Sequence, residues 1–536
     1  MRRSIAEIGA QTAASARAGA VLRFTSQPLV VGVFFLLVYL STLTADYFWD
    51  GITFALQIEK VADGERSAAL LFHQSHLLYN AFGYLLYRAV NAVGVPLRAL
   101  WVLQGANVIL GAMAVAVFFS IARRMTRSRY AALASTTALA VCATWWKLAT
   151  DADAYIPAVL LTLICLHALL AAKPNWIWAG LALAGAMLMH ELAALFSFVA
   201  VAVIFTSESI PLKKRFAFRL LALAWTISVA AYYVCAATLH GITDPLGVVK
   251  WAMTNPSRIV PYISPLPGLR QSPRANVDLV VGHSFNLFRA QAGVIGWLLA
   301  LAACAVLMAL IWRVAFELAR RWRHHHWRGL PLLVGERLRP HLLILTAWVV
   351  PYFVFLWFFE PEDAHLRLFY APALALGLAS WLSHSHVTTG DGQARRPTLF
   401  LRTSALAILT LGLFNLAFYI LPHADVDTSP LIKKARSARA VWDEQTVVVY
   451  ANHSEIDTAF EYFNRRSRWQ RFSPEKSADF NERVRAALAR GEHVWLNEGA
   501  IAALPPEQLA GFTRGDEIDV ELDYGAARYI ELLPQP

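Results

Sequence analysis

Long apolar stretches separated by short polar segments fill the chain from about residue 29 to residue 421. Several of them approach the ~20 residues that a helix needs to cross the hydrocarbon core of a bilayer. The pattern predicts a polytopic α-helical membrane protein with about eleven transmembrane helices. The predicted spans are 29–45, 98–120, 129–148, 155–172, 175–190, 192–208, 217–239, 291–312, 340–359, 368–383 and 401–421.

Two further stretches are predicted to lie at the membrane interface rather than across it. The segment 70–92, LLFHQSHLLYNAFGYLLYRAVNA, is apolar but interrupted by polar residues, which favours an amphipathic helix with aromatic rings at headgroup depth. A shorter amphipathic helix is predicted at about 50–60. The pair 175–190 and 192–208 fits either one long helix or two short ones.

The distribution of basic residues orients these spans. Hydrophobic residues make up 57% of the chain, so its formal net charge of +11 must be read loop by loop and does not indicate nucleic-acid binding. With the N-terminal segment 1–28 in the cytoplasm, the basic clusters fall inside, as the positive-inside rule requires. These clusters are RRMTRSR (123–129), KKRFAFR (213–219) and RRWRHHHWR (320–328). We expect a bacterial inner-membrane protein whose residues 422–536 are periplasmic.

The segment 422–536 differs from the rest because short apolar runs alternate there with helical periodicity. It predicts a small C-terminal α/β domain of about 100 residues. Its predicted strands are 447–450 and 493–497, with a closing hairpin about Tyr524 and Gly525. Its predicted helices are 454–463, which opens with a Ser454/Asp457 capping box, and 480–491, which ends at Gly491. None of the four cysteines lies in this segment, and their spacing indicates neither a disulfide framework nor a metal site.

The first outer loop, TADYFWDGITFALQIEK (44–60), carries acidic residues directly after an apolar span. A carboxylate at the edge of the hydrocarbon costs free energy, so it is expected there only if it is solvated, forms an ion pair or takes part in binding or catalysis. Asp46 and Asp50 therefore either mark the end of a span or line a site. The second interpretation is favoured for Asp50, because the helix that follows would hold it against the membrane, with Glu59 further along.

Later outer loops supply more candidates. Asp151 and Asp153, two apart in KLATDADAYIPA, could hold a divalent cation or an acceptor hydroxyl, or could simply form a turn before Pro157. His190 and Glu191 lie in the turn between two apolar stretches. Together with Asp151 and Asp153, His190 is a candidate metal ligand, although a lone histidine is more often structural.

Three groups of residues are candidates for contact with an anionic or sugar ligand. His73 and His76 fall on one face of the interfacial helix and either meet a phosphate or face water. Arg270 and Arg274 lie in the longest outer loop, 240–290, a plausible lid, and are equally suited to lipid headgroups. Glu360, His365 and Arg367 lie in FFEPEDAHLRLFYAP, which is either a ligand-contacting edge or an internally neutralised loop.

The order of these features resembles the GT-C class of multi-span glycosyltransferases, which includes protein O-mannosyltransferases and lipid A aminoarabinose transferases. The first outer loop of that class typically reads D-E-x-x-Y-A, and here DGITFA matches at Asp50, departs at Gly51 and has Phe54 for the tyrosine. HQSHLLY (73–79) loosely resembles the next motif of the class, and the IARRMTR turn and the WIWAGLALAGAMLMHELAALF hairpin also fit. The resemblance covers residues 30–240.

This resemblance implies a sugar donor linked to polyprenyl phosphate and an acceptor on the periplasmic side that is a glycan, lipid or protein. Asp50 would be the general base, with Asp151 and Asp153 as further acids. Arginines or a divalent metal would stabilise the leaving phosphate. The alternatives are a transporter or flippase, disfavoured by the absence of related halves, and a non-catalytic envelope assembly protein whose exported domain binds a periplasmic partner.

Overall fold

The computed structural model describes residues 27–253, 265–283, 293–294, 297–298, 301, 305, 339–384, 399–451, 454–472, 479–522 and 525–535. Apolar helices dominate the part before residue 425. Among the described residues, four of them are long and apolar enough to cross a membrane: Ala99–Thr126, Lys213–His240, His341–Phe358 and Arg402–Ala424. Shorter apolar helices are Gln27–Leu40, Tyr155–Leu169, Trp176–Met189, Glu191–Thr206 and Ala371–Ser383.

The helices of this part are labelled here in chain order, for the described residues. They are α1 Gln27–Leu40, α2 Trp49–Ala62, α3 Tyr79–Ala92, α4 Ala99–Thr126, α5 Arg129–Ala140, α6 Ala143–Ala149, α7 Tyr155–Leu169, α8 Trp176–Met189, α9 Phe196–Thr206, α10 Lys213–His240, α11 Pro245–Met253, α12 Pro265–Val281, α13 Arg339–Phe358, α14 Ala371–His384, α15 Leu399–Asn415 and α16 Leu421–Ala424. The π-helical turn Leu416–Ile420 joins α15 to α16.

Most predicted spans coincide with apolar helices, but the count of eleven is not confirmed. The predicted span 129–148 is divided into α5 and α6, which meet at Val141 and Cys142. The stretch 175–208 forms two helices, because the chain is extended at His190 (φ −159°, ψ 126°) between α8 and the 3₁₀ turn Glu191–Leu195. The predicted span 291–312 lies almost wholly outside the described residues.

The predicted interfacial segments are only partly helical. Helix α2 contains the predicted 50–60 segment. In contrast, 70–92 is not one helix: a 3₁₀ turn at Ala68–Leu71 and an irregular segment precede α3, which begins at Tyr79. His73 and His76 therefore do not share a helix face. The long outer loop 240–290 is likewise not a simple loop, since it contains α11 and α12.

The described C-terminal part is a small mixed sheet flanked by helices. Its strands are β1 Thr446–Tyr450, β2 Arg468–Arg471, β3 His493–Asn497, β4 Phe512–Leu522 and β5 Gly525–Pro534, in the order β2-β1-β3-β5-β4. Its helices are α17 Pro430–Ser437, α18 Glu455–Phe463, α19 Phe480–Ala489, α20 Glu498–Ala503 and α21 Pro506–Leu509. The predicted strands, hairpin and main helices are present, whereas β2 and the parallel β1–β2 pairing were not predicted.

Alternation along the strands places the sheet between two cores, because successive side chains point to opposite faces. Val447, Val449 and Leu496 pack on the α19 side. Val448 and Trp495 face the other way, into a cluster that also contains Ile52, Leu56 and Ile58 of α2 and Leu100 of α4. The sheet and the amphipathic helix α2 thus share one hydrophobic core, which fixes the C-terminal part over the first loop.

Candidate active site

The first turn of α2 is pressed against the loop that joins α6 to α7. A β-carbon added at Gly51 would lie 2.3 Å from the carbonyl oxygen of Ala152, so only glycine allows this approach. The position at which the GT-C pattern carries a second acid is therefore one where this chain has no space for a side chain. The contact brings Asp50, at the start of α2, beside the aspartates of the 150–154 loop.

Asp151 is fully buried and satisfied by the protein itself. Its Oδ2 accepts hydrogen bonds from the Lys147 ammonium (2.6 Å) and from the Phe48 backbone amide (2.9 Å), and its Oδ1 accepts from the Ala152 amide (2.7 Å). Lys147 also donates to the carbonyl oxygen of Asp46 (2.6 Å). This buried ion pair therefore ties the segment 44–50 to α6 and positions Asp50.

Asp153 is equally buried, but only one of its two carboxyl oxygens accepts a hydrogen bond within the described residues. Its Oδ1 accepts a hydrogen bond from the Ala154 amide, while Oδ2 has no hydrogen-bond partner among the described residues. Burial, followed by the negative charges of Asp50 and Asp151, raises the pKa of Asp153 well above its ordinary value. These surroundings therefore favour the protonated form of Asp153.

Asp50 is half-buried at the meeting point of three acidic segments. Burial raises its pKa to about 7, and the charges of Asp363, Glu455 and Glu360 act in the same direction. A carboxyl group with such a pKa is substantially ionised near neutral pH and is more basic than an ordinary aspartate. This is the tuning expected of a general base.

A cluster of rings lies next to these acids. The rings of His76 and His190 are 4.5 Å apart between centroids, and Tyr155 lies 4.9 Å from His190. His190 accepts a hydrogen bond on Nδ1 from the Leu192 amide, and burial lowers its pKa to about 3. Burial also lowers the pKa of His76 well below its usual value, and the His76 Nδ1 lacks a partner within the described ranges. Both imidazoles are neutral at pH 7.

The 360–367 loop packs against these acids and rings from the opposite side. The ring of His365 lies 4.6 Å from that of Phe48, and Asp363 accepts a hydrogen bond from the His365 amide. Arg367 is completely buried and donates through Nη2 to Ser272 of α12 (2.6 Å) and to the carbonyl oxygen of Pro361 (2.7 Å). Its Nε and Nη1 have no acceptor in the described part of the chain.

The structure thus brings together predicted site residues from five separated segments. These are Asp50, His76, Asp151, Asp153, His190, Glu360, His365 and Arg367, with His73 at the edge, where its ring stacks 5.9 Å from that of His76. No group of three or more His, Cys, Asp or Glu in the described residues could hold a metal ion. The metal prediction for Asp151, Asp153 and His190 gains no support from this geometry.

Other predicted site residues lie apart from this group. Asp46 accepts a hydrogen bond from Ser429 (2.7 Å), beyond α16, and Glu59 pairs with Arg98 (2.8 Å) at the far end of α2. Glu191 is exposed beside the 72–78 segment, where its amide donates to Ser75. Arg270 and Arg274 are exposed on α12, whose other face is docked against the helical part through Ser272 and Asp278.

Sequence reasoning missed Glu455 and underrated Lys147. Glu455 opens α18 in the C-terminal part, and only the packing of α18 on α2 brings its charge towards Asp50. A helix cap at Ser454 explained this segment well enough that no site was suspected, and the cap is present. The i, i+4 spacing of Lys147 and Asp151 was the available signal for their ion pair.

The fold is similar to that of solved structures of ArnT, which confirms the resemblance at the level of the fold. The solved structures it resembles include ArnT, a lipid A aminoarabinose transferase, from Cupriavidus metallidurans. The ArnT structure bound to undecaprenyl phosphate gives a TM-score of 0.55 at 13% identity, covering 96% of this chain and 98% of that chain. The apo structure gives 0.54 at 13% identity over the same shares. No family model and no curated protein matches the sequence.

Proposed function

We propose that this protein is a membrane glycosyltransferase that moves a sugar from a polyprenyl-phosphate-linked donor to an acceptor hydroxyl on the periplasmic face. The observation that carries the proposal is the environment of Asp50, where burial and neighbouring acids raise the pKa of its carboxyl group to about 7. This carboxyl group lies at the edge of an apolar helical part, in a fold similar to that of ArnT. ArnT with the same fold binds undecaprenyl phosphate, which supports a donor of that class. The periplasmic side rests on the positions of the basic clusters.

In this reaction Asp50 acts as the general base. Its carboxylate takes the proton of the acceptor hydroxyl, the hydroxyl oxygen attacks the anomeric carbon, and the bond from that carbon to the phosphate oxygen breaks. The polyprenyl phosphate leaves with the electron pair of that bond. Asp153 stays protonated, because two adjacent carboxylates do not both ionise readily, and this leaves Asp50 free to hold the charge.

The remaining residues position these groups or balance charge. Asp151 and Lys147 fix the first loop, as their buried ion pair shows. The unsatisfied nitrogens of Arg367 lie beside the loop of Asp363 and supply positive charge on the side where a phosphate would be stabilised. His76 and His190, being neutral, can each offer a hydrogen bond to a sugar without adding charge.

The test is Asp50→Asn, with Asp63→Asn at the other end of α2 as the matched control. Membranes carrying each form are incubated, and mass spectrometry of the lipid extracts follows loss of undecaprenyl-phosphate sugars and release of undecaprenyl phosphate. We expect Asp50→Asn to lower the transfer rate by about 10²- to 10⁴-fold, as for loss of a general base, with Asp63→Asn unchanged.

Binding of undecaprenyl phosphate to purified Asp50→Asn should persist, because the substitution removes the base and not the lipid groove. Transfer at the wild-type rate by Asp50→Asn would remove Asp50 from the mechanism. Movement of labelled undecaprenyl phosphate across proteoliposomes by the wild type, without sugar transfer, would favour the flippase alternative instead.

A further inference from the structure

A second groove, away from the Asp50 group, lies where α4 begins and the C-terminal part packs on it. It encloses about 260 Å³. Its lining comes from the start of α4, the end of α18, α17 and the 3₁₀ turn Ala438–Ala440, and consists of Arg98, Trp101, Arg436, Arg439, Tyr462 and Phe463. The mechanism above uses none of these residues.

The groove lies at the N-terminal end of a helix that is long and apolar enough to span a membrane. Helix α4 is long and apolar enough to span, and its opposite end carries Arg123 and Arg124. Arg98 directly precedes α4, and Trp101, in its first turn, is 48% exposed. Tryptophan and arginine at a helix end are typical of the headgroup region of a membrane.

The arginines of this groove are not equally neutralised. Arg98 donates through Nε to Glu59 (2.8 Å) and through Nη2 to the carbonyl oxygen of Tyr462 (2.7 Å). Arg436 lies over the ring of Phe463, 5.2 Å from its centroid, and Arg439 is exposed. Within the described ranges, no carboxylate forms an ion pair with Arg436 or Arg439. The groove therefore keeps two uncompensated positive charges beside three aromatic walls.

A neighbouring groove shares Arg98 and Arg439 but differs in charge. It is lined in addition by charges of both signs: Glu59, Asp63, Asp443, Arg465 and Arg466. An anion would therefore meet carboxylates in that groove, whereas the lining of the smaller groove is basic and aromatic. The smaller groove contains no acid, so its complementary ligand is a compact anion with apolar parts.

We propose that this groove binds the phosphate of an anionic phospholipid headgroup from the leaflet that faces the C-terminal part. Arg436 and Arg439 would contact the phosphate through charge-assisted hydrogen bonds, while Trp101, Tyr462 and Phe463 contact the glycerol and the first methylenes. The enclosed volume suits a headgroup, and the adjoining end of α4 places the acyl chains in the bilayer. The bound lipid fastens the C-terminal part to the membrane surface.

The experiment measures lipid binding to the purified full-length protein by native mass spectrometry at fixed ionic strength, with phosphatidylglycerol and phosphatidylcholine as probes. The double variant Arg436→Gln/Arg439→Gln is compared with Lys433→Gln/Lys434→Gln, which removes the same charge from the same region without touching the groove. We expect the arginine variant to lose phosphatidylglycerol affinity by about thirtyfold, the combined weight of two cations at an anionic surface. The lysine variant should bind like the wild type.

The proposal is overturned if both double variants bind phosphatidylglycerol alike, or if phosphatidylcholine binds as well as phosphatidylglycerol. A third measurement adds an excess of inorganic phosphate to the complex with phosphatidylglycerol. If it displaces phosphatidylglycerol completely, the groove is a site for a free anion and the lipid assignment fails. If phosphatidylglycerol stays bound, the apolar walls contribute as proposed. Thermal unfolding of each variant confirms that the exposed substitutions leave the fold intact.

Discussion

The charged side chains at the two ends of helix α2 differ in whether they form ion pairs. At its C-terminal end Glu59 pairs with Arg98, Lys60 pairs with Glu461, and the exposed acids Asp63 and Glu65 both pair with Arg465. At its N-terminal end Asp50 has no ion pair within the described ranges, and the nearest charges are also negative.

This contrast separates a docking surface from the proposed chemical site. Burying a polar group without a partner costs free energy, so a fold selected only for stability would pair such groups. The chain does so where α2 meets the C-terminal part. Among the titratable side chains, His76, Asp153 and Arg367 around Asp50 each keep a buried polar atom that lacks a partner in the described residues, and perturbed groups with chemical roles are expected in such a place. The buried atoms without a partner in the C-terminal part belong to neutral side chains, such as the indole of Trp442.

The largest effect that would test this contrast concerns the two aspartates of the 150–154 loop. Asp151→Asn leaves the buried Lys147 ammonium without its counter-ion, and removing one partner of a buried pair costs about 3–5 kcal/mol of unfolding free energy. Asp153→Asn replaces a protonated carboxyl by a neutral group of similar shape, so we expect little change in stability at pH 7. Thermal unfolding in detergent measures both.

The pH dependence of unfolding provides the control for this pair. The folded state of the wild type holds the Asp153 proton, while the unfolded chain releases it near pH 4, so this group lowers stability as the pH rises above that value. Asp153→Asn should lack this decline. A strongly destabilised Asp153→Asn would mean that Asp153 is ionised and paired, contrary to its surroundings.

The next effect is on the pH profile of transfer. Asp50 must be ionised to act as a base, so the rate should fall below its pKa of about 7, by about tenfold for each pH unit. Glu455→Gln removes a neighbouring negative charge, which lowers the pKa of Asp50. The acidic limb of the pH–rate profile, where the rate falls, therefore moves to lower pH. We expect a gain of about threefold in kcat/KM at pH 6, with no gain at pH 8.

Glu482→Gln is the matched control for this shift, because α19 packs on the opposite face of the sheet. It removes the same charge and should leave the limb in place. An unshifted limb in Glu455→Gln would show that the C-terminal part does not influence Asp50 electrostatically. Equal shifts in both variants would indicate a general surface-charge effect rather than a contact.

Much of the fold could be predicted because its signals are local. Apolar stretches gave most helices, and the Ser454/Asp457 cap and Gly491 gave the ends of C-terminal helices. The break at 141–142 could not be predicted, since nothing in the apolar pattern there marks it. The helix in the long outer loop was missed because α12 carries a proline and has little net apolar character.

The site was predictable only as separate segments. Asp50, Asp151 and Asp153 were chosen by their place after spans, but the sequence cannot show that Gly51 lets their segments meet. Nor can it show that Asp151 is paired with Lys147 while Asp153 has no ion pair among the described residues. The pairing of Glu59 with Arg98 depends on how α2 and α4 pack, so the sequence suggested a ligand-binding role where the structure has an ion pair. Tertiary packing decided which acids remained unsatisfied.

The smallest effect concerns the exposed ion pairs at the docking end. Arg465 donates to Asp63 (2.8 Å) and twice to Glu65 (2.8 and 2.9 Å), but both acids are about half exposed, so the interaction is screened by solvent. Arg465→Gln should therefore lower the unfolding free energy by only about 0.5–1 kcal/mol, and less at high salt. Its neighbour Arg466, exposed and without an ion pair among the described residues, provides the control.

Hydrogen exchange of α18 is the sharper measurement for Arg465→Gln, because α18 is the helix that these pairs hold against α2. Exchange should quicken in α18 and remain unchanged in β4 and β5, while sugar transfer at pH 7 is retained. If Arg465→Gln instead abolished transfer and left α18 protected, the paired end of α2 would take part in the chemistry. The distinction between the two ends of α2 would then fail, because its ion-paired side chains would be as necessary to the reaction as the unpaired ones around Asp50.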